Sequence, residues 1–157
     1  MIKICRVDHR LLHGQVAFSW CHALGADAIL IVSDETARDE MRMATMRMAK
    51  PAGVKLVIKS VDDSIKAINS GVTDKYKLMV VAGNVCDAYR VVTECSEIKS
   101  VNLGGTKIKE DTKKLGNAFY VTSEECEKLK KLLEQSIELE IRQVPSDKKK
   151  IVTREML

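Results

Sequence analysis

Ala28-Ile29-Leu30-Ile31-Val32 and Leu78-Met79-Val80-Val81-Ala82 are apolar at every position. A strand with one wet face alternates apolar and polar residues. Unbroken runs of this length instead mark parallel strands covered on both faces. Outward from them, short β-rich runs alternate with segments of helical length. Strands are predicted at Ile2 to Val7, Ala28 to Val32, Lys55 to Ile58, Lys77 to Ala82 and Val101 to Leu103, with shorter ones near Lys107 and Phe119 and a last one from Ile137 to Val144. Helices are predicted at Val16 to Leu24, Thr36 to Ala49, Ser64 to Asn69, Asp87 to Cys95 and Ser123 to Gln135. This alternation predicts right-handed crossovers and an α/β fold: a three-layer, open, mostly parallel twisted sheet with helices on both faces.

The clearest helix is the last. Thr122 and Glu125 are spaced for a capping box, and Cys126, Leu129, Leu132 and Leu133 form an apolar stripe suited to packing on the sheet. Met41, Met43, Met46 and Met48 crowd one earlier segment. The helical spacing of Met41, Ala44 and Met48 favours core packing there over a partner surface. Lys50-Pro51-Ala52-Gly53 stops that helix, because proline cannot continue it and glycine favours the turn.

Composition sets bounds on function. At 157 residues the chain is long enough to bury a sizeable core without disulfide staples, and residues 1–157 are read as one domain. Its 45% apolar content against 4% aromatics predicts an aliphatic core. The net charge of +4 is spread along the chain, and the densest basic run, Lys148-Lys149-Lys150, lies beyond Pro145 and reads as a solvated tail. Nucleic acid is therefore not an expected partner; a mild positive balance suits an acidic or phosphorylated one. The five cysteines include no C-x-x-C pair and read as small buried hydrophobes in a reducing cytosol, with neither a disulfide framework nor a metal site. No export signal appears, and no apolar run approaches the roughly 18 residues of a membrane span, so a cytoplasmic location is expected.

An open parallel sheet places its working loops beyond the carboxyl ends of its strands. Those loops carry Asp8 to His13, Ser33-Asp34-Glu35, Gly83-Asn84 and Gly104-Gly105. Neither G-x-G-x-x-G nor a Walker A sequence is present, which counts against dinucleotide and P-loop sites, and Gly104-Gly105 reads as a turn. The first loop is the richest: Arg6-Val7-Asp8-His9-Arg10-Leu11-Leu12-His13-Gly14-Gln15-Val16. His22 lies inside a helix and reads as an ordinary surface or packing residue. His13 stands at the loop-to-helix junction, where Gly14 lets a ligand approach the backbone and the first free amides of the helix point outward. A neutral imidazole nitrogen there can attack phosphorus, while Arg10 and the helix end stabilise the charge spread over a transferring phosphoryl. Such a site needs neither metal nor cofactor. Leu11 and Leu12 fit two roles equally, as a partner contact or as anchors of the loop.

That loop resembles the signature of the IIB component of the mannose/fructose/sorbose class of the bacterial sugar phosphotransferase system. The resemblance continues through Ile31-Val32-Ser33-Asp34-Glu35, Met48-Ala49-Lys50-Pro51-Ala52-Gly53-Val54-Lys55, Val101-Asn102-Leu103-Gly104-Gly105 and Arg142-Gln143-Val144-Pro145. It implies a cytoplasmic phosphocarrier that takes phosphate from the phosphohistidine of a IIA protein and passes it to a sugar held by a IIC/IID membrane complex. On this resemblance His13 is the phosphorylated nucleophile, through Nδ1, and Arg10 neutralises the phosphoryl oxygens. Asp8 orients Arg10 or the imidazole. Arg6, Gly14, Gln15, Ser33 and Asp34 are assigned to phosphate binding or partner docking. Ser33 stands where the family often has asparagine, and His9 where it often has an acidic residue. The transported sugar is left open, and a homo-oligomer is compatible with the chain.

Two other readings compete. A non-enzymatic flavodoxin-like module would bind a partner or small ligand at the same strand ends and would tolerate loss of His13. A response-regulator receiver needs an aspartate acceptor at the end of its third strand, and Lys55-Leu56-Val57-Ile58-Lys59-Ser60 supplies none.

Overall fold

The computed structural model describes residues 1–157. Seven strands form one sheet: β1 (Ile2–Asp8), β2 (Ala28–Val32), β3 (Lys55–Lys59), β4 (Leu78–Ala82), β5 (Ser100–Gly105), β8 (Glu138–Ile141) and β9 (Lys150–Ile151). Their order is β3-β2-β4-β1-β5-β8-β9, parallel throughout except for the last pair. A separate antiparallel hairpin joins β6 (Lys113–Gly116) to β7 (Phe119–Val121). The helices are α1 (Gly14–Leu24), α2 (Glu40–Ala49), α3 (Val61–Asn69), α4 (Val85–Glu94) and α5 (Ser123–Glu134).

The apolar runs that predict the fold are buried at every residue. Because side chains alternate across a strand, each run serves two layers at once. Ile29, Ile31, Met79 and Val81 pack with Ala17 and Trp20 of α1 and Met46 of α2. Ala28, Leu30, Val32, Leu78, Val80 and Ala82 pack with residues of α3, α4 and α5. The chain runs from β1 outward to β2 and β3, then returns past β1 to β5 and β8. Right-handed crossovers then demand helices on opposite faces for the two directions. Hence the loop after β1 leads to α1 on one face and the loop after the adjacent β4 leads to α4 on the other, opening a crevice where they part. His9, Ser33, Gly83, Asn84, Thr106 and Tyr120 help line a cavity of about 480 Å³ there.

Local signals explain most element ends. The capping box of α5 is formed, with Glu125 N donating to Thr122 Oγ1 at 3.1 Å and Thr122 N to Glu125 Oε1 at 2.9 Å. Its stripe residues Cys126, Leu129 and Leu132 are buried, each leucine stabilising the helix by roughly 1.5–3 kcal/mol. Gly25 ends α1 in the left-handed region at φ 64°, where a Cβ would be strained.

Five expectations are corrected. The predicted helix from Thr36 to Ala49 breaks at Asp39: a 3-10 turn over Thr36–Arg38 comes first, and Asp39 then turns extended and caps α2 by accepting from Arg42 N at 3.0 Å. That restart places Met46 inward, while Met41 and Met48 are 81% and 88% exposed, so the methionine stripe is not core. No strand forms near Lys107; the chain runs as a loop there before β6. The basic tail folds back as edge strand β9, and Lys149 just before it pairs with Glu138, although its lysines remain exposed. All five cysteines are free thiols, but Cys86, unlike the other four, is exposed because it lies on the outer side of α4.

Candidate functional site

The site is built on the last residue of β1. Asp8 is wholly buried at the carboxyl end of the central strand, and four side chains gather around its carboxylate. Oδ1 accepts from the Arg10 backbone N–H at 3.0 Å and from Arg10 Nε at 3.4 Å. Oδ2 accepts from Arg6 Nη2 at 3.0 Å and lies 3.1 Å from His13 Nε2. His9 Nδ1 stands 4.0 Å from Oδ1 without a hydrogen-bond partner.

The backbone makes this gathering possible. Leu11 N donates to Asp8 O at 2.9 Å, closing a tight turn in which Leu11 takes a φ of 59°. A left-handed leucine costs on the order of 1 kcal/mol or more and persists because the surrounding packing enforces it. Leu11 and Leu12 are both buried in the cluster beneath α1. They anchor the loop, which decides between the two roles the sequence leaves open.

His13 is the N-cap residue of α1, yet its side chain makes no capping bond because the ring is drawn to Asp8 instead. The first amides of α1, from Gly14 on, therefore meet no capping side chain and form a ready anion site. Gly14 has a φ of 33° and open space where a Cβ would sit, and Gly14 and Gln15 are exposed. The His13 ring is 24% exposed, and the Arg10 side chain 48%. Arg10 is thus held at one edge by Asp8 while the rest of its guanidinium faces solvent.

Burial pushes the Asp8 carboxyl up, but the Arg10 amide, the His13 imidazole and the Arg6 guanidinium outweigh it and hold the group below its ordinary value. Burial likewise lowers Arg6, against the pull of Asp8. Asp8 is therefore an ionised, acceptor-only group, and the His13 nitrogen facing it is the one that carries a proton. In the neutral ring Nδ1 then keeps its lone pair. The arrangement can hold a nucleophilic imidazole in one tautomer beside an arginine and a helix end, all suited to a phosphoryl group. No cluster of His, Cys, Asp or Glu side chains here has the geometry of a metal site.

Three predicted residues are tied into the protein by hydrogen bonds. Arg6 is 2% exposed and hydrogen-bonded to Asp8, Asn102 and the Arg142 carbonyl, so it presents no surface to a partner. The Asp34 carboxylate accepts from Val61 N at 2.8 Å, fastening the start of α3. The Ser33 hydroxyl is engaged with Thr36, accepting from its backbone N–H and donating to its Oγ1, although Ser33 also lines the crevice. Asn102, Arg142 and Trp20, which are not among the predicted site residues, hold Arg6 from below. The one legible signal is Asn102, a polar residue set between Val101 and Leu103 in a buried stretch of strand, since buried amides demand partners.

Comparison with known proteins places this geometry among relatives. The family described as PTS system sorbose subfamily IIB component matches residues 2–156. The fructose-specific EIIB component of Bacillus subtilis is 32% identical over 93% of this chain and 90% of its own length. The mannose-specific EIIAB component of Escherichia coli K12 is 34% identical over 95% of this chain. The chain spans about half the length of that curated relative, 46%. In structure, the IIBSor domain of the sorbose permease from Klebsiella pneumoniae superposes with a TM-score of 0.91 at 25% identity, covering 99% of this chain and 95% of that one.

Proposed function

Because the chain belongs to the sorbose-subfamily IIB components of the phosphotransferase system, we propose that it is a cytoplasmic phosphocarrier of sugar uptake, with His13 as its phosphorylated residue. Its donor is a phosphorylated IIA protein, and its acceptor a sugar presented by a IIC/IID membrane complex, with which it associates peripherally. No helix of the chain is long and apolar enough to cross a membrane, so the membrane step falls to that complex. The observation that carries the proposal is the 3.1 Å contact of His13 Nε2 with a buried, ionised Asp8.

In the first step the Nδ1 lone pair attacks the phosphorus of the donor phosphohistidine. An N–P bond forms on His13 as the donor N–P bond breaks and returns its electron pair to the donor ring. The Nε2 proton stays in place, and the Asp8 carboxylate offsets the positive charge of the phosphorylated ring. Arg10 and the α1 amides from Gly14 and Gln15 stabilise the spread phosphoryl charge. In the second step a sugar hydroxyl oxygen attacks phosphorus, the N–P bond breaks back to Nδ1, and the hydroxyl proton is released. Exchange between imidazoles is nearly balanced, so alignment is the main task of the protein.

The test is relay phosphorylation with phosphoenolpyruvate, the general phosphotransferase proteins and a IIA partner. Phosphate is expected on His13 in an acid-labile, alkali-stable bond, and a His13→Ala protein that still takes up phosphate overturns the proposal. Arg10→Ala should slow transfer roughly 100-fold with the fold intact, the usual loss when one charge-stabilising donor is removed.

A further inference from the structure

Strands β1, β5 and β8 lie side by side, with Arg6 opposite Asn102 and Asn102 opposite Glu140. All three side chains are buried. Arg6 Nη1 donates to Asn102 Oδ1 and to the Arg142 carbonyl, and Nη2 donates to Asp8 Oδ2. The Asn102 amide is itself fixed, because its Nδ2 donates to the same Arg142 carbonyl at 3.1 Å. The Arg6 and Arg142 guanidinium groups both lie over the Trp20 ring of α1, 5.3 and 5.0 Å from its centre, and Trp20 Nε1 donates to Gln143 O at 3.0 Å. Arg142 is balanced in turn by Glu140 at 2.9 Å. Gly104 completes the enclosure: a Cβ there would fall inside contact distance of the Arg6 guanidinium.

We propose that Arg6, Asn102 and the Arg142 carbonyl form a buried positioning chain that sets the Asp8 carboxylate and, through it, which nitrogen of His13 carries the proton. The proposal rests on His13 being the phosphorylated residue and extends it to residues that touch neither donor nor acceptor. Buried ion pairs add little stability over apolar packing, so their gain lies in specifying one arrangement. Here the specified arrangement meets His13 at one atom, Asp8 Oδ2, shared by Arg6 Nη2 and His13 Nε2. The planar guanidinium, held by three partners and stacked on an indole, fixes that oxygen in direction as well as distance, which a lysine could not. The same indole ties α1, whose N-cap is His13, to the segment that holds Arg6. Nucleophile and orienting carboxylate are thus set from one base.

Asn102→Ala removes the middle of the chain, and Gly104→Ala displaces the guanidinium from a different strand position. In the unphosphorylated full-length protein, ring ¹⁵N NMR is expected to show His13 protonated at Nε2 alone. Both variants should give a mixture of tautomers. Transfer from phosphorylated IIA should fall roughly tenfold to hundredfold in kcat with KM unchanged, the scale expected when a reacting group is misplaced by a fraction of an ångström to an ångström. Either variant that folds yet keeps both the single tautomer and the wild-type rate overturns the proposal. If neither folds, the chain is a folding element and the proposal is likewise overturned. Absence of phosphate on wild-type His13 would defeat the functional reading alone, because the tautomer comparison needs no phosphate.

Discussion

One face of the sheet carries two opposite chemistries beneath the same helix layer. Over β2 and β4 it presents Ile29, Ile31, Met79 and Val81, all apolar and buried. Over β1, β5 and β8 it presents Arg6, Asp8, Asn102 and Glu140, just as deeply buried but charged or polar. The apolar half stabilises by area removed from water and is indifferent to small changes in direction. The polar half gains little net stability and is sensitive to direction, because each buried charge must meet its partners at hydrogen-bonding geometry. The comparison teaches that this domain keeps stability and orientation in adjacent halves of one layer, with Trp20 near the boundary.

The sharpest way to break that division is Asp8→Asn. It leaves Arg6 buried without a counter-charge, a loss of about 3–5 kcal/mol, and should also impair His13 phosphorylation severely. Urea unfolding and relay phosphorylation measure the two effects together. The sign of its pH dependence is set by Asp8 titrating below its ordinary value. In the wild type, Asp8 contributes stability that is present above the unfolded pKa of about 4 and lost as pH falls through the folded value. The asparagine variant should therefore show a shallower acid limb, and an unchanged limb would remove Asp8 from the charge network.

Ile29→Ala probes the other half. It should cost about 2–5 kcal/mol in unfolding free energy while leaving the transfer rate within twofold, as read at a temperature where the variant remains folded. A large rate loss there would erase the distinction between the halves. Next in size are the buried thiols. Burial pushes Cys5 up to about 12, and Cys21 and Cys95 up to about 11. The unfolded thiols ionise first, near pH 8.5, so stability is full below that value and falls as pH rises toward 11–12. Cys5→Ala should flatten this alkaline fall in urea midpoints measured across pH 8–10.5. Smallest is the exposed Arg90–Asp62 pair at 2.8 Å, where Asp62→Ala should leave the urea midpoint essentially unchanged.

Much of this was written locally. Five-residue apolar runs rich in β-branched residues fit doubly covered strands, and Thr122 with Glu125 marks a helix start within four residues of chain. The loop from Arg6 to Val16 concentrates histidines and arginines at a strand end, which its residue types show directly, and its resemblance to a family signature supplied the phosphoryl-carrier reading. Other features were invisible for definite reasons. Asp39 had two options, to continue a helix or to cap one, and only the packing of the following residues selected the second, turning Met41 and Met48 outward. Strand β9 is two residues long and exists through pairing with β8, so no periodicity could mark it.

Arg6 divides the two kinds of knowledge most clearly. The sequence by itself determined that an arginine, an aspartate, a second arginine and a histidine share one turn at the end of a strand, because their spacing along the chain is fixed covalently. Only the tertiary structure decided that the first arginine points down into the protein and the second out of it. The partners that make the difference, Asn102 and Arg142, lie 96 and 136 residues away, and a buried charge takes its role from whatever long-range folding brings within hydrogen-bond reach.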